Sequence, residues 1–404
     1  MKLNEYNYTG LIILTISLLF INSCVEPFEY ESEDFEKLII INAVITDEVK
    51  QQEVYITNTT PIDEHYVSPE TNATVIVKDD SQNEYTFTEV EPGKYMSQSS
   101  FGALEGNKYS LHVQTSNGRK YFSKEVSLVS GKKPVDINPI RRVNDEGVIG
   151  VDILVNSYDE ANTSKYYRYE YEETYKIIAQ NWSPYDIVSS GLGCGEPFTF
   201  VVKQTEQQTC YNTLYSKEII QTNTINLIED RVGDFSVRFV PMTNPIIKHR
   251  YSILVKQYVQ SRDAYAYYEK INESIKQGNV FSQVQTGFVH GNMFSESNPN
   301  ENVIGYFEAS SVVSNRVFFN FEDVFPDEDE PDEECNIFAP PILEVDTRGN
   351  ISCVLTYYIE ELNFKFVYEN LTPQPGEGPY FMTIPRCGDC RELGNAEVPN
   401  FWIE

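Results

Sequence analysis

Cysteine is the residue type best placed to do chemistry in this 404-residue chain. Cys387-Gly388-Asp389-Cys390 has the spacing of a redox pair or of half a zinc site. Redox work would need a βαβ context and a helix N-terminus to lower a thiol pKa. This pair instead lies near the C-terminus in a Pro- and Gly-rich stretch, and no second CxxC exists. Cys335 and Cys353 could complete a zinc knot, but an even set in an oxidising compartment favours disulfides. That set is Cys194, Cys210, Cys335, Cys353, Cys387 and Cys390. Local loop closure favours Cys194–Cys210 first, then Cys335–Cys353 and Cys387–Cys390, among the many pairings six cysteines allow.

Other reactive residue types form no motif. The run Asp327-Glu328-Asp329-Glu330-Pro331-Asp332-Glu333-Glu334 offers oxygens to calcium but lacks the spaced ligands of an EF-hand loop. It reads as a solvated charged loop. His65, His112, His249 and His290 are scattered, with no HExxH, GxSxG or P-loop anywhere. Carboxylates are too numerous to single out an acid–base pair. No catalytic residue, resident metal or cofactor is therefore expected, and the reading is non-enzymatic.

The seventh cysteine, Cys24, carries a different chemistry. Lys2 precedes an apolar run from Leu11 to Ile21, too short for a bilayer core of about 30 Å. Ser23-Cys24 follows directly, as at a bacterial lipoprotein processing site. Residues 1–23 are then a discarded signal peptide, Cys24 the lipidated N-terminus, and residues 24–36 an acidic tether.

The elements that must position everything else are strands. Counts of 31 basic and 61 acidic residues give a charge of −30, which argues against nucleic acid as a partner. Hydrophobic content of 41% is enough for real cores. Within 37–131, short apolar runs alternate with turn signals such as Pro92-Gly93 and Asn117-Gly118. That pattern predicts an Ig-like or transthyretin-like β-sandwich. A junction at Gly131-Lys132-Lys133-Pro134 opens a larger β-rich, fibronectin-III-like domain over 132–404. In it Tyr167, Tyr169 and Tyr171 alternate with Arg168, Glu170 and Glu172, a period of two. One amphipathic helix is predicted over about 262–277, with Ala264, Tyr267, Tyr268, Ile271 and Ile275 on one face and Gly278 as its stop. Stretches of about 179–212 and 322–350 read as long disulfide-stapled loops, the segments to test for binding. The fold class is mainly β.

Arg250-Tyr251-Ser252-Ile253-Leu254-Val255-Lys256-Gln257-Tyr258, then Gly291-Asn292, Asn302-Val303-Ile304-Gly305-Tyr306-Phe307, Arg386-Cys387-Gly388-Asp389-Cys390-Arg391 and Pro399-Asn400-Phe401-Trp402 follow in that order. This order resembles Bacteroidota lipoproteins of the domain-of-unknown-function family 4249. Within the tether, Ser32-Glu33-Asp34-Phe35-Glu36 resembles the acidic export signal of surface lipoproteins in those bacteria. The resemblance implies a surface-facing lipoprotein held in the outer membrane by its N-terminal lipid. It also implies an accessory role beside a TonB-dependent β-barrel receptor in nutrient uptake. It supplies no catalytic residues. A stand-alone surface module binding a glycan, peptide or metal complex is the alternative. A hydrolase with a dispersed site is the least favoured reading.

Overall fold

Alternation of large apolar with polar side chains carries most of this chain into strands. The computed structural model describes residues 37–61, 66–129, 131, 133–194, 196–276 and 289–404. Cys24, Ser32, Glu33, Asp34, Phe35, Glu36, His65 and Gly278 lie outside the described residues. The protein is mainly β and is built from several sheets.

In the first sandwich, Ile39–Thr46 pairs antiparallel with Glu53–Asn58, with Ile41 opposite Ile56. The sheet continues through Lys94–Ser97, Glu84–Glu91, Thr74–Asp79, Lys108–Gln114 and Lys120–Ser123. Ile39, Ile41, Ala43 and Ile45 share one face and are buried against Val54, Val75, Leu111 and others. Buried tyrosines keep their hydroxyls satisfied, as a buried phenol must. Tyr95 donates to the Glu70 carbonyl at 2.7 Å, and Tyr121 donates to Glu301 at 2.7 Å.

This sandwich draws on more chain than residues 37–131. Met293–Ser295 pairs with Tyr121–Ser123, and Val303, Phe307 and Ala309 join the first core. The returning segment crosses Ile39–Thr46 at close range. A Cβ on Gly305, whose φ is +124°, would stand 1.9 Å from the Ile41 carbonyl oxygen, so only glycine fits there. The Asn292 side chain clamps the turn, accepting from Phe307 N at 2.8 Å and donating to Phe307 O at 2.7 Å.

The strand that begins at Phe307 then leaves for the second sandwich. Phe307–Phe319, the shared strand, runs parallel to the first strand over Phe307 to Ser310. From Ser311 it pairs antiparallel with Tyr251–Val259. Beyond that lie the tyrosine-rich strand Tyr166–Ile178 and then Thr209–Tyr215. A second sheet of Val135–Val143, Ile149–Asp159 and Asp230–Pro241 packs on this one. Tyr167, Tyr169, Tyr171, Ile253 and Val255 fill the space between them with Val151, Ile153 and Val240.

The helix spans Arg262–Lys276. Ala264 and Tyr267 are buried as expected, but Ile275 is 54% exposed. The helix packs mainly through its first turns, where Tyr267 and Tyr268 meet Tyr306 and the Gly305 N–H donates to the Tyr267 hydroxyl at 3.1 Å. Tyr265, assigned to no face by the periodicity, is buried and its hydroxyl accepts from Asn223 at 3.0 Å.

The expected disulfide pairing is corrected by the structure. Cys194 bonds Cys353, Cys210 bonds Cys390, and Cys335 bonds Cys387. The two anticipated loops are not stapled separately. Within 179–212, the hairpin of Tyr185–Val188 and Thr199–Val202 separates Cys194 from Cys210 and carries them to different neighbours. Cys210 sits opposite Ile177 in a sheet and packs on Ile177 and Cys390. The hairpin and residues 335–390 form a third unit around Ile187, Leu355, Phe366 and Met382. Local closure failed as a guide because strand pairing, not chain proximity, sets which sulfurs meet.

Candidate functional site

Period-two alternation on Tyr166–Ile178 sends its tyrosines inward and puts Arg168, Glu170 and Glu172 on the opposite face. Cross-strand register adds Tyr258 beside Arg168, Lys256 beside Glu170 and Leu254 beside Glu172. On the shared strand Val312, Ser314 and Arg316 continue those rows. Three cations, Arg168, Lys256 and Arg316, thus step diagonally across one sheet face.

The first sandwich and the helix roof one end of this face. A cleft of about 470 Å³ opens between Asn42–Thr46 and Lys50–Tyr55 on one side and Arg168, Glu170, Lys256, Tyr258 and Tyr268 on the other. A smaller one of about 260 Å³ continues from Arg168, Glu170, Lys256 and Tyr268 towards Tyr215 and Ile219. The residues common to both mark the centre of the site.

Arg168 is buried there in a network. It donates to Glu170, and at 3.2 Å to Glu308. Gln260 donates to the other oxygen of Glu308 at 3.1 Å, and Tyr258 donates to Glu170 at 2.9 Å. The guanidinium lies 4.4 Å from the Tyr258 ring centre and 5.3 Å from that of Tyr268. Burial works against the Arg168 charge, but Glu308 and Glu170 outweigh it and raise its pKa. Burial likewise pushes the Glu170 carboxyl up, yet Arg168 and the Tyr258 hydroxyl leave it below the ordinary carboxylate range. Burial, with the Glu308 charge nearby, raises the Tyr268 hydroxyl. These groups hold fixed protonation states near neutral pH.

Two donors remain unused. The Arg168 Nε is buried without an acceptor. Lys256 lines both halves of the cleft; it faces Glu170 and helps hold that carboxyl low, yet it makes no hydrogen bond or close ion pair among the described residues.

The other end of the same face is occupied by the C-terminus of the chain. Arg316 stacks 3.6 Å from the Phe401 ring centre, and Arg250 donates to the Ile403 carbonyl. Lys176 holds the Glu404 carboxylate at 2.9 Å, with the Tyr211 hydroxyl at 3.3 Å. Trp402 packs edge-on against Tyr211 and Phe318.

The residues singled out from sequence lie elsewhere. Glu328 of the acidic run pairs with Arg141 at 2.6 Å and Glu333 with Lys248 at 3.7 Å, while Asp327, Asp329 and Glu330 are exposed. Among the described residues no three His, Cys, Asp or Glu converge as a metal cluster. Cys387 and Cys390 are each bonded to a distant partner rather than to one another. His249 is half-buried, with its Nε2 enclosed and unpartnered, and that burial lowers its pKa. Sequence reasoning passed over Arg168, Lys256 and Tyr268 as site residues. The alternation already placed Arg168 and Glu170 together, but the roof over them comes from residues 42–55, which no local pattern connects to them.

The profile of the family described as domain of unknown function DUF4249 matches residues 25–316. The chain belongs to that family. No curated protein sequence matches it. Among solved structures, trypsin-activated alpha-2-macroglobulin from Escherichia coli is 8% identical, with a TM-score of 0.18 over 57% of this chain and 15% of that one. The BSP domain of a biofilm-associated protein is 9% identical, with a TM-score of 0.15 over 69% of this chain and 58% of that one. Both likenesses are too slight to inform the fold or its use. No helix among the described residues is long and apolar enough to cross a membrane.

Proposed function

We propose that this DUF4249 member is a non-enzymatic binding protein, anchored through Cys24 to the outer face of the outer membrane, that works beside a TonB-dependent transporter in nutrient uptake. The observation that carries the reading is the cleft between the two sandwiches. The carboxylates beside Arg168 are already engaged: Glu170 with Arg168 and Tyr258, and Glu308 behind it with Arg168 and Gln260. A carboxyl held ionised by a buried guanidinium is a poor general acid, so the arrangement suits holding a ligand better than transforming one. Convergent polar groups among aromatic walls are what binding clefts present. The short apolar run ending at Ser23-Cys24 supports the anchor, and the acidic segment behind it supports surface display.

Crosslinking in intact outer membranes, followed by purification of this chain, tests the reading. Recovery of a β-barrel receptor is expected, and a Cys24→Ala variant should lose both membrane attachment and that partner. Recovery of unrelated proteins alone would count against it. The cleft is built within one chain, which favours a second reading as a stand-alone binding module. Tight ligand binding by the purified protein, with no barrel recovered from membranes, would select that reading.

A further inference from the structure

The two ends of the polar sheet face are built alike, and only one is filled. At the filled end a peptide lies on the face, and it belongs to this chain. Arg316 stacks on its aromatic ring, Arg250 takes a main-chain carbonyl, and Lys176 with the Tyr211 hydroxyl takes a carboxylate. At the open end Arg168 stacks on Tyr258 and Tyr268, and Lys256 stands beside them. The Tyr268 hydroxyl donates to nothing among the described residues. Both ends therefore offer a lysine, a tyrosine hydroxyl and an arginine locked against a ring. At the open end no carboxylate is within ion-pair distance of the lysine, and its cross-strand neighbour Glu170 is taken up by Arg168 and Tyr258.

Charge narrows the class of ligand. Glu170 and Glu308 are each satisfied by two donors. Lys256 faces Glu170 across the strands and feels its charge, but it is the cation at the centre of the cleft that makes no hydrogen bond or close ion pair among the described residues. A half-buried ammonium recovers its lost hydration best from an anion, through a charge-assisted hydrogen bond. We propose that the open cleft binds an extended peptide bearing a carboxylate side chain, with Lys256 as the anchor of that carboxylate and the Tyr268 hydroxyl as its second donor. Arg168 is a positioning residue, holding the two tyrosine rings that wall the site. The proposal rests on reading the cleft as a binding site and is independent of any transporter.

Calorimetric titration of the purified full chain with a capped peptide copying residues 400–404 tests it. Saturable binding is expected. Lys256→Met should weaken it about tenfold, the scale of one lost charge-assisted contact, and Lys256→Arg should restore it. Replacing the peptide's glutamate by glutamine should cost the wild type a similar factor and leave Lys256→Met unaffected. Lys256 makes no hydrogen bond or close ion pair among the described residues, so a melting curve for Lys256→Met close to that of the wild type separates loss of binding from loss of fold. Absence of binding, equal affinity in Lys256→Met, or dependence on Lys176 instead (displacement of the protein's own tail) would each overturn the proposal. So would preferential binding of maltoheptaose to the same cleft. Failure here leaves the membrane crosslinking result untouched, and the reverse also holds.

Discussion

The two sandwiches and the C-terminal unit are held together by different means. The sandwiches bury long runs of Ile, Val and Tyr, and among the described residues Cys210, on the outermost strand of the second, is the one cysteine they contribute to a disulfide. The C-terminal unit buries only Ile187, Leu355, Phe366 and Met382 at its centre, and every described disulfide lies in it or at its edge. Small cores cannot offset chain entropy by burial alone, so covalent links supply the difference. Cysteine placement in this protein therefore marks where the hydrophobic core is thin.

The comparison can be broken most forcefully at the strand the sandwiches share. Phe307→Ala should cost about 3–5 kcal/mol, the usual loss for a buried Phe, and should lower the melting of both sandwiches together. Separate melting of the two would refute the shared-strand picture. Arg168→Met leaves Glu308, 3% exposed, without its cation and should cost about 3 kcal/mol. The double change Glu308→Gln with Arg168→Met should recover part of that loss in chemical denaturation. Removing the Cys210–Cys390 link by alanine at both positions should destabilise the C-terminal unit by about 2–4 kcal/mol. Hydrogen exchange should rise across 179–212 and 335–404 while the first sandwich stays protected.

Acid sharpens the contrast more gently. The Glu170 carboxyl lies below its ordinary value of 4.5 in the folded protein, and that of Asp159 lies below 3.8. Their folded forms bind protons less readily than the unfolded chain. The stability they contribute is present above those ordinary values and is lost as pH falls through the depressed ones. Melting temperature should therefore decline below about pH 4.5 and the Glu170→Gln variant should decline less steeply. The smallest effect belongs to the acidic run. Glu328→Gln breaks a surface pair with Arg141 and should change stability by less than about 1 kcal/mol.

Much of the fold was legible because its signals are local. Alternation at Tyr167, Tyr169 and Tyr171 located a strand and its inner face, and the Arg262–Lys276 helix lay within a residue of its predicted span. The resemblance carried by Gly291-Asn292 and Gly305-Tyr306-Phe307 acquires a physical basis, since those residues clamp the returning segment against the first strand. What stayed illegible was non-local. Cys210 meets Cys390 across 180 residues, and Arg168 is buried by a roof from the other sandwich. Neither pairing leaves a trace in spacing or periodicity.

The shared strand also fixes how this molecule would bear tension. The first strand, Ile39–Thr46, is flanked on one side by Glu53–Asn58 and on the other by Phe307–Ser310. A pull on residue 37 runs along the axis of that strand. Its ladder bonds to both neighbours are then loaded together in shear, rather than opened one after another like a zipper. The load passes straight into Phe307–Phe319 and so into the second sandwich beneath the cleft. A drag on the cleft would travel the same line back to residue 37 through paired strands.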